Sequence, residues 1–249
     1  MRTPLMAGNW KMYKTAAETV QFFEKFIPLV ADVQGRDIVI CPPFVNLAAA
    51  VQAVKGAAIG IGAQNLYWAK EGAFTGEVSG AMIRAVGAEW VIIGHSERRQ
   101  YFGETDETVL KRTVAALECG LKPIVCVGER LEERDAGLTE QVLIKQFAGG
   151  LAGLNPEQFA GVVIAYEPVW AIGTGKTATP EIAEDAHRVI RAEVAKKFGA
   201  AQAEATRILY GGSVKPDNTK ALMAQEDIDG VLVGGASLDP ASFAAIVKF

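Results

Sequence analysis

Short apolar runs and longer amphipathic stretches alternate along this chain from one end to the other. The runs are Leu5–Gly8, Ile38–Cys41, Ile59–Ala63, Trp90–Ile93, Ile124–Val127, Val162–Tyr166, Ile208–Tyr210 and Val231–Val233. They are continuous rather than alternating in polarity. A strand reads that way when both of its faces are buried, as in a parallel sheet covered by helices. The stretches between them carry helix signals. Thr15-Ala16-Ala17-Glu18 is a capping box, followed by Phe22, Phe23, Phe26, Ile27 and Val30 at helical spacing. Ser79 is placed to cap a short helix running to Val86. Thr105 opens a helix that Gly120 closes, with Pro123 soon after. Thr179-Pro180-Glu181 sets a capping residue, a proline at the first helical position and an acid in the first turn of a helix that ends near Gly199.

Eight strands, each followed by a helix, in 249 residues is the arithmetic of the α/β class's (β/α)₈ barrel, eight parallel strands with outer helices. A doubly wound open sheet uses the same alternation. The polar residues separate the two. They fall directly after nearly every strand, and a barrel gathers those positions onto one rim where an open sheet spreads them apart. No Pro- or Ser-rich linker divides the sequence, so residues 1–249 read as a single barrel domain.

Composition narrows the function. The chain is 50% hydrophobic, ample for a core, and carries a net charge of −4. No basic block suggests a nucleic-acid partner. Mean hydropathy is +0.17, yet no apolar run approaches the ~18 residues of a membrane helix. Met1 to Lys14 lacks the basic stretch and apolar run of a secretory signal, so the expectation is a soluble, cytoplasmic protein. Cys41, Cys119 and Cys126 are odd in number and spaced for neither a disulfide framework nor zinc, and they read as reduced thiols.

The candidate chemistry begins after the sixth strand. Glu167 ends an apolar run, and desolvation there raises the pKa of a carboxylate and strengthens it as a general base. Behind it runs Pro168-Val169-Trp170-Ala171-Ile172-Gly173-Thr174-Gly175-Lys176-Thr177-Ala178. Pro168 and Trp170 are stiff, while Gly173 and Gly175 change backbone angles at little steric cost, which suits a lid on hinges. The same segment resembles the end of a phosphate-binding P-loop, but Trp170 stands where that motif needs glycine. It also resembles a dinucleotide fingerprint, but its glycines begin several residues past the strand.

The chain has two histidines. His187 sits mid-helix beside Arg188 and reads as a solvated surface group. His95 ends the fourth strand and opens a short helix with Ser96 and Glu97. A helix N-terminus disfavours positive charge, so this imidazole is expected to stay neutral and to donate to a developing enolate. Glu97 is placed to pair with a lysine from another strand end, and Arg98 and Arg99 to make structural salt bridges. After the first strand come Asn9, a donor for a substrate oxygen, and Lys11, a cation for an anion. The last two strands end in Gly211-Gly212-Ser213 and Gly234-Gly235, where paired glycines let backbone N–H groups converge on a phosphate and a short helix adds its positive end.

These segments together resemble the triosephosphate isomerase family. The resemblance runs from Asn9-Trp10-Lys11-Met12 through Gly76-Glu77, Gly94-His95-Ser96-Glu97-Arg98-Arg99 and Ala165 to Gly175, then to Tyr210-Gly211-Gly212-Ser213 and Gly234-Gly235-Ala236-Ser237. It implies an aldose–ketose isomerase acting on three-carbon phosphates without metal or organic cofactor. It implies Glu167 as base, His95 as electrophile, and Asn9 and Lys11 as substrate contacts with Glu97 beside Lys11. Gly173, Ser213, Gly234 and Gly235 match phosphate-binding positions. The resemblance also implies a homodimer built on the loop after the third strand, from Gln64 and Asn65 through Phe74, Thr75, Gly76 and Glu77, with Thr75 propping the other subunit's Lys11. Tyr13 falls where many members carry asparagine, outside the chemistry.

Overall fold

The computed structural model describes residues 2–172 and 177–249. Its strands are β1 (Leu5–Asn9), β2 (Asp37–Cys41), β3 (Gly60–Ala63), β4 (Trp90–Ile93), β5 (Lys122–Val127), β6 (Val163–Tyr166), β7 (Ile208–Tyr210) and β8 (Gly230–Val233). Each pairs in parallel with its neighbours in sequence order, and β8 returns to β1 to close the barrel. The expected (β/α)₈ architecture is therefore the one observed.

Closure explains the unbroken apolar runs. Leu5 and Ala7 of β1 join Val39, Ile92, Ile124 and Leu209 in the barrel interior. Met6, between them, faces outward into the shell that meets the helices, as do Ile40, Val91 and Ile164. Successive side chains point to opposite faces, and here both faces are dry.

The helices form as their signals indicate. Thr15 caps α1 (Ala16–Val30): its hydroxyl accepts from the Glu18 N–H, and the Glu18 carboxylate accepts from the Thr15 N–H at 2.7 Å. The Phe22, Phe23 and Phe26 stripe meets Trp10 and Phe243, with ring centroids 4.8 Å apart for Trp10–Phe22 and 5.3 Å for Phe26–Phe243. Burial of one such ring stabilises by ~1.5–3 kcal/mol. This cluster also locks Trp10, whose indole N–H donates to Ser237 O at 3.1 Å. The residues either side of Trp10 are Asn9 and Lys11, so α1 packing sets the base of the site. Further round come α2 (Leu47–Ala53), α3 (Gly80–Ala85, capped by Ser79), α4 (Ser96–Tyr101) and α5 (Asp106–Glu118, capped by Thr105). They are followed by α6 (Leu131–Asp135), α7 (Thr139–Gly150), α8 (Pro156–Phe159), α9 (Pro180–Phe198, capped by Thr179), α10 (Ala200–Ala205), α11 (Thr219–Met223) and α12 (Pro240–Val247). Among the described residues no helix is long and apolar enough to cross a membrane. All three cysteines are free.

His187 is not the solvated group its neighbour Arg188 suggests. It is fully buried on α9, in line with Ala183, Ile190 and Val194 on the face turned to the barrel. Its Nδ1 lies 3.0 Å from the Asp227 carbonyl, its ring meets Tyr166 edge-on, and Nε2 has no partner among the described residues. The 183/187/190/194 spacing was the available signal, and residue polarity obscured it. Burial depresses its pKa from 6.5 to about 4. Because the unfolded chain binds this proton first, His187 stability is fully present above pH 6.5 and is lost as pH falls towards 4, at most ~3 kcal/mol. Denaturant unfolding from pH 7 to pH 4 is expected to show this loss. His187→Gln is expected to flatten the slope in that window.

Candidate active site

Closing the barrel brings the polar strand ends to one rim. Asn9 ends β1 and Lys11 follows in a left-handed conformation, φ 52°. That region costs a side chain of this kind ~1–2 kcal/mol, and the surroundings pin it at both ends. The Lys11 N–H donates to Asn9 Oδ1 at 3.0 Å, and Gln64 Nε2 donates to the Lys11 carbonyl at 2.9 Å. Lys11 Nζ reaches Glu97 Oε1 at 2.5 Å, the lysine pairing expected for Glu97. With Oδ1 occupied, the Asn9 amide keeps its NH₂ for another acceptor.

At the end of β4 the chain turns through Gly94, φ 70°, where a Cβ would stand 2.7 Å from Val109. The turn makes His95 the N-cap of α4. Its Nδ1 accepts the Glu97 N–H at 3.2 Å, so the single proton of a neutral ring resides on Nε2. Nε2 lies 2.9 Å from Glu167 Oε1, and Glu167 Oε2 accepts the Ser96 N–H at 2.9 Å. Although close, Oε1 has no aligned hydrogen bond among the described residues. Glu167 is 2% exposed. Its backbone N–H donates to Val127 O at 2.7 Å, and its carbonyl fills the space over Gly128, where a Cβ would lie 1.7 Å from that oxygen. Arg98 and Arg99 make the expected structural bridges, to Glu104 and to Asp106.

The electrostatics differ from the sequence expectation in both partners. Burial pushes Glu167 up, but the His95 ring, the Ser96 amide and Lys11 together pull it below the usual glutamate value. Burial pulls His95 down, but the Glu167 and Glu97 carboxylates together raise the ring above its usual value. Burial alone predicts a raised Glu167 and the helix terminus alone a lowered His95; each leaves out the partner that the other strand end brings up. The Glu97 amide opposes a second proton on Nδ1.

Asn9, Lys11, His95 and Glu167 share one cleft of ≈ 330 Å³ with Ser213, Gly234 and Gly235. A short 3₁₀ turn, Gly235–Leu238, starts at the second glycine pair, with Ser237 Oγ donating to Gly234 O at 2.7 Å. No helix starts directly on the first pair, since α11 begins only at Thr219. Ile172 lines the same cleft from the lid segment. Val169–Ala171 form a 3₁₀ turn. Trp170 Nε1 donates to buried Glu129 at 2.8 Å, and the Tyr166 hydroxyl donates to the same oxygen at 3.1 Å. Thr177 is exposed and Ala178 buried. Gly173, Thr174, Gly175 and Lys176 lie outside the described residues, so the phosphate position expected at Gly173 lies there too.

In the loop after β3, Asn65 is buried against Arg112 Nε at 3.1 Å, while residues 71–77, with Phe74, Thr75, Gly76 and Glu77, are exposed in the single chain. Phe74 packs on Tyr67 but remains 43% exposed. Sequence reasoning missed three contributors: Gln64 as the clamp on Lys11, Gly128 beneath Glu167, and Glu129 beneath the lid. The last two follow β5 directly, where the strand-end rule applied to the other runs would have found them.

A sequence model described as triosephosphate isomerase matches residues 4–249. The chain is 72% identical to the triosephosphate isomerase of Solibacter usitatus (strain Ellin6076) over 249 residues, the full length of both. It is 56% identical to that of Citrifermentans bemidjiense over all of this chain and 99% of the relative. It is 55% identical to that of Carboxydothermus hydrogenoformans, again over all of this chain and 99% of the relative.

Gly128→Ala is expected to push the Glu167 backbone aside and to cut turnover by ~10²-fold or more, as a displacement near 1 Å does. Steady-state kinetics on folded protein checks this. His95→Gln removes the largest pull holding Glu167 down. The acid limb of kcat/KM, which reports free-enzyme ionisation, is therefore expected to move to higher pH in the residual activity of that variant.

Proposed function

The chain belongs to the triosephosphate isomerase family, and on that premise we propose that it interconverts dihydroxyacetone phosphate and D-glyceraldehyde 3-phosphate through an enediolate, with Glu167 moving the proton. The observation that carries this reading is the buried Glu167 carboxylate, 2.9 Å from His95 Nε2, on the wall of a cleft that also takes Lys11 and both glycine loops.

Substrate phosphate sits against Ser213, Gly234 and Gly235, with Gly173 adding to the seat once the lid covers it. That binding supplies energy remote from the reacting carbons. To reach a carbon in the cleft, Glu167 leaves the Ser96 amide. Losing that donor in a dry pocket raises its pKa, so the carboxylate becomes a stronger base at the moment of use. It takes a proton from the carbon beside the carbonyl. His95 Nε2–H and the Asn9 amide donate to the substrate oxygens, Lys11 offsets the enediolate charge, and Glu167 returns the proton to the neighbouring carbon. The lid, Pro168 to Ala178, excludes water and strengthens these interactions. The carbonyl is itself the electron sink, so no metal or organic cofactor enters the scheme.

The rest of the assignment follows from the same premise. Residues 1–249 act as one catalytic domain in the cytoplasm, serving glycolysis and gluconeogenesis. Met12, Val45, Phe74, Tyr101 and Phe102 leave large apolar surfaces exposed on the single chain. Surfaces of that kind support a homodimer through the loop after β3, with Thr75 propping the partner subunit's Lys11.

Glu167→Asp withdraws the carboxylate by about one methylene and is expected to cost ~10²-fold in rate. A coupled isomerase assay on D-glyceraldehyde 3-phosphate measures it, and near-normal turnover would remove Glu167 from the role of base. Sedimentation of the wild-type chain is expected to give twice the 26.5 kDa protomer mass.

A further inference from the structure

The charges around the cleft do not favour the ligand assigned to it. The chain carries a net −4. Within the site, Lys11 is neutralised by Glu97 at 2.5 Å, and Glu167 adds an ionised carboxylate whose pKa is held down. His95 and Asn9 contribute donors but no fixed charge in the neutral-ring state. Lys11, Glu97 and Glu167 thus sum to about −1 at the point where a phosphate dianion must arrive. The backbone N–H groups of the glycine loops act at contact range and do little to draw an ion from solution.

Among the described residues that line the cleft, one cation is left over. Lys215 lines the same ≈ 330 Å³ cleft, two residues beyond Ser213. It is exposed, and no ion pair to a carboxylate is formed by it among the described residues. Its backbone is held. Asn218 Oδ1 accepts the Lys215 N–H at 2.8 Å, Asn218 Nδ2 donates to Ser213 O at 3.0 Å, and Thr219 Oγ1 donates to the Lys215 carbonyl at 2.7 Å. The clasp is of the side-chain-to-backbone kind that stabilises tight turns. It fixes the loop that carries Ser213 and presents the exposed Lys215 beside it at the mouth.

We propose that Lys215 is the encounter cation of this site, drawing the phosphate dianion of the substrate to the cleft and guiding it onto the Ser213 and Gly234-Gly235 seat without touching the reacting carbons. The inference rests on the isomerase reading above and adds to it a residue outside the proton-transfer machinery. Lys215 offsets the excess negative charge at the mouth, which lowers the barrier to an arriving dianion, and that gain is lost as salt screens it.

The test compares wild type, Lys215→Arg, Lys215→Ala and Lys215→Glu in the isomerase assay from ~10 mM to ~500 mM ionic strength. At low salt, Lys215→Ala is expected to lose ~5-fold in kcat/KM and Lys215→Glu more, with kcat at saturation changing far less, and the curves are expected to converge at high salt. Lys215→Arg is expected to stay near wild type. D-glyceraldehyde, which lacks the phosphate, supplies the charge control, and its kcat/KM is expected to stay within ~2-fold in all four proteins because a neutral ligand gains nothing from steering. Unchanged kcat/KM for Lys215→Glu at low salt would overturn the proposal. So would a loss that persists at high salt or appears equally with D-glyceraldehyde, since that is a structural effect. An inactive wild type would instead refute the isomerase reading itself.

Discussion

Four register pairs, Leu5↔Gly230 through Gly8↔Val233, join the first strand to the last. Everything at the site depends on them. An open sheet would leave the Asn9 and Gly234 ends on opposite edges. With the ring shut, residues at the ends of β1, β4, β6, β7 and β8 face one cleft, though they span 9 to 238 in sequence. Closure also removes both sheet edges, so the backbone hydrogen bonds of the barrel are satisfied internally. The interior side chains then fill the ring as a packed core, so the chemistry sits on the rim and not within the barrel.

On that rim the dominant feature is a carboxylate out of water. A buried, ionised glutamate is costly unless its lone pairs are met. Here Ser96 N–H meets one oxygen, and the other faces His95 Nε2 out of line. The group is therefore stable as a charge yet incompletely held, which suits a base that must change position. Lys11 shows the same economy: its left-handed backbone is fixed by Asn9 and Gln64, and its charge by Glu97. These constraints come from three different strand ends, so the site is rigid where donors must be aimed. It is weakly tied where the carboxylate must move.

Much of this was legible along the chain. The eight runs, the Thr15, Ser79, Thr105 and Thr179 caps, and the residues at strand ends all follow local rules of burial, capping and turn chemistry, and the structure carries each of them. The Lys11–Glu97 pairing followed from placing both on one rim. His187 failed because a polar residue beside an arginine looks solvated, and only the barrel face of α9 shows it to be buried. The direction of the Glu167 shift failed for a related reason. Burial was read correctly, but His95 and Ser96 are distant in sequence, and their effect outweighs it.

The sequence by itself determined which residues are strand, which are helix and which stand at strand ends, because apolar period, caps and glycines act within a few residues. Tertiary structure alone decided how those ends face one another. It set the 2.9 Å approach of His95 to Glu167, the fit of the Glu167 carbonyl over Gly128, the clamp of Gln64 on Lys11 and the place of Lys215 at the mouth. Distances, pKa directions and local charge sums depend on contacts between residues far apart in the chain, and those contacts exist only once β8 has met β1.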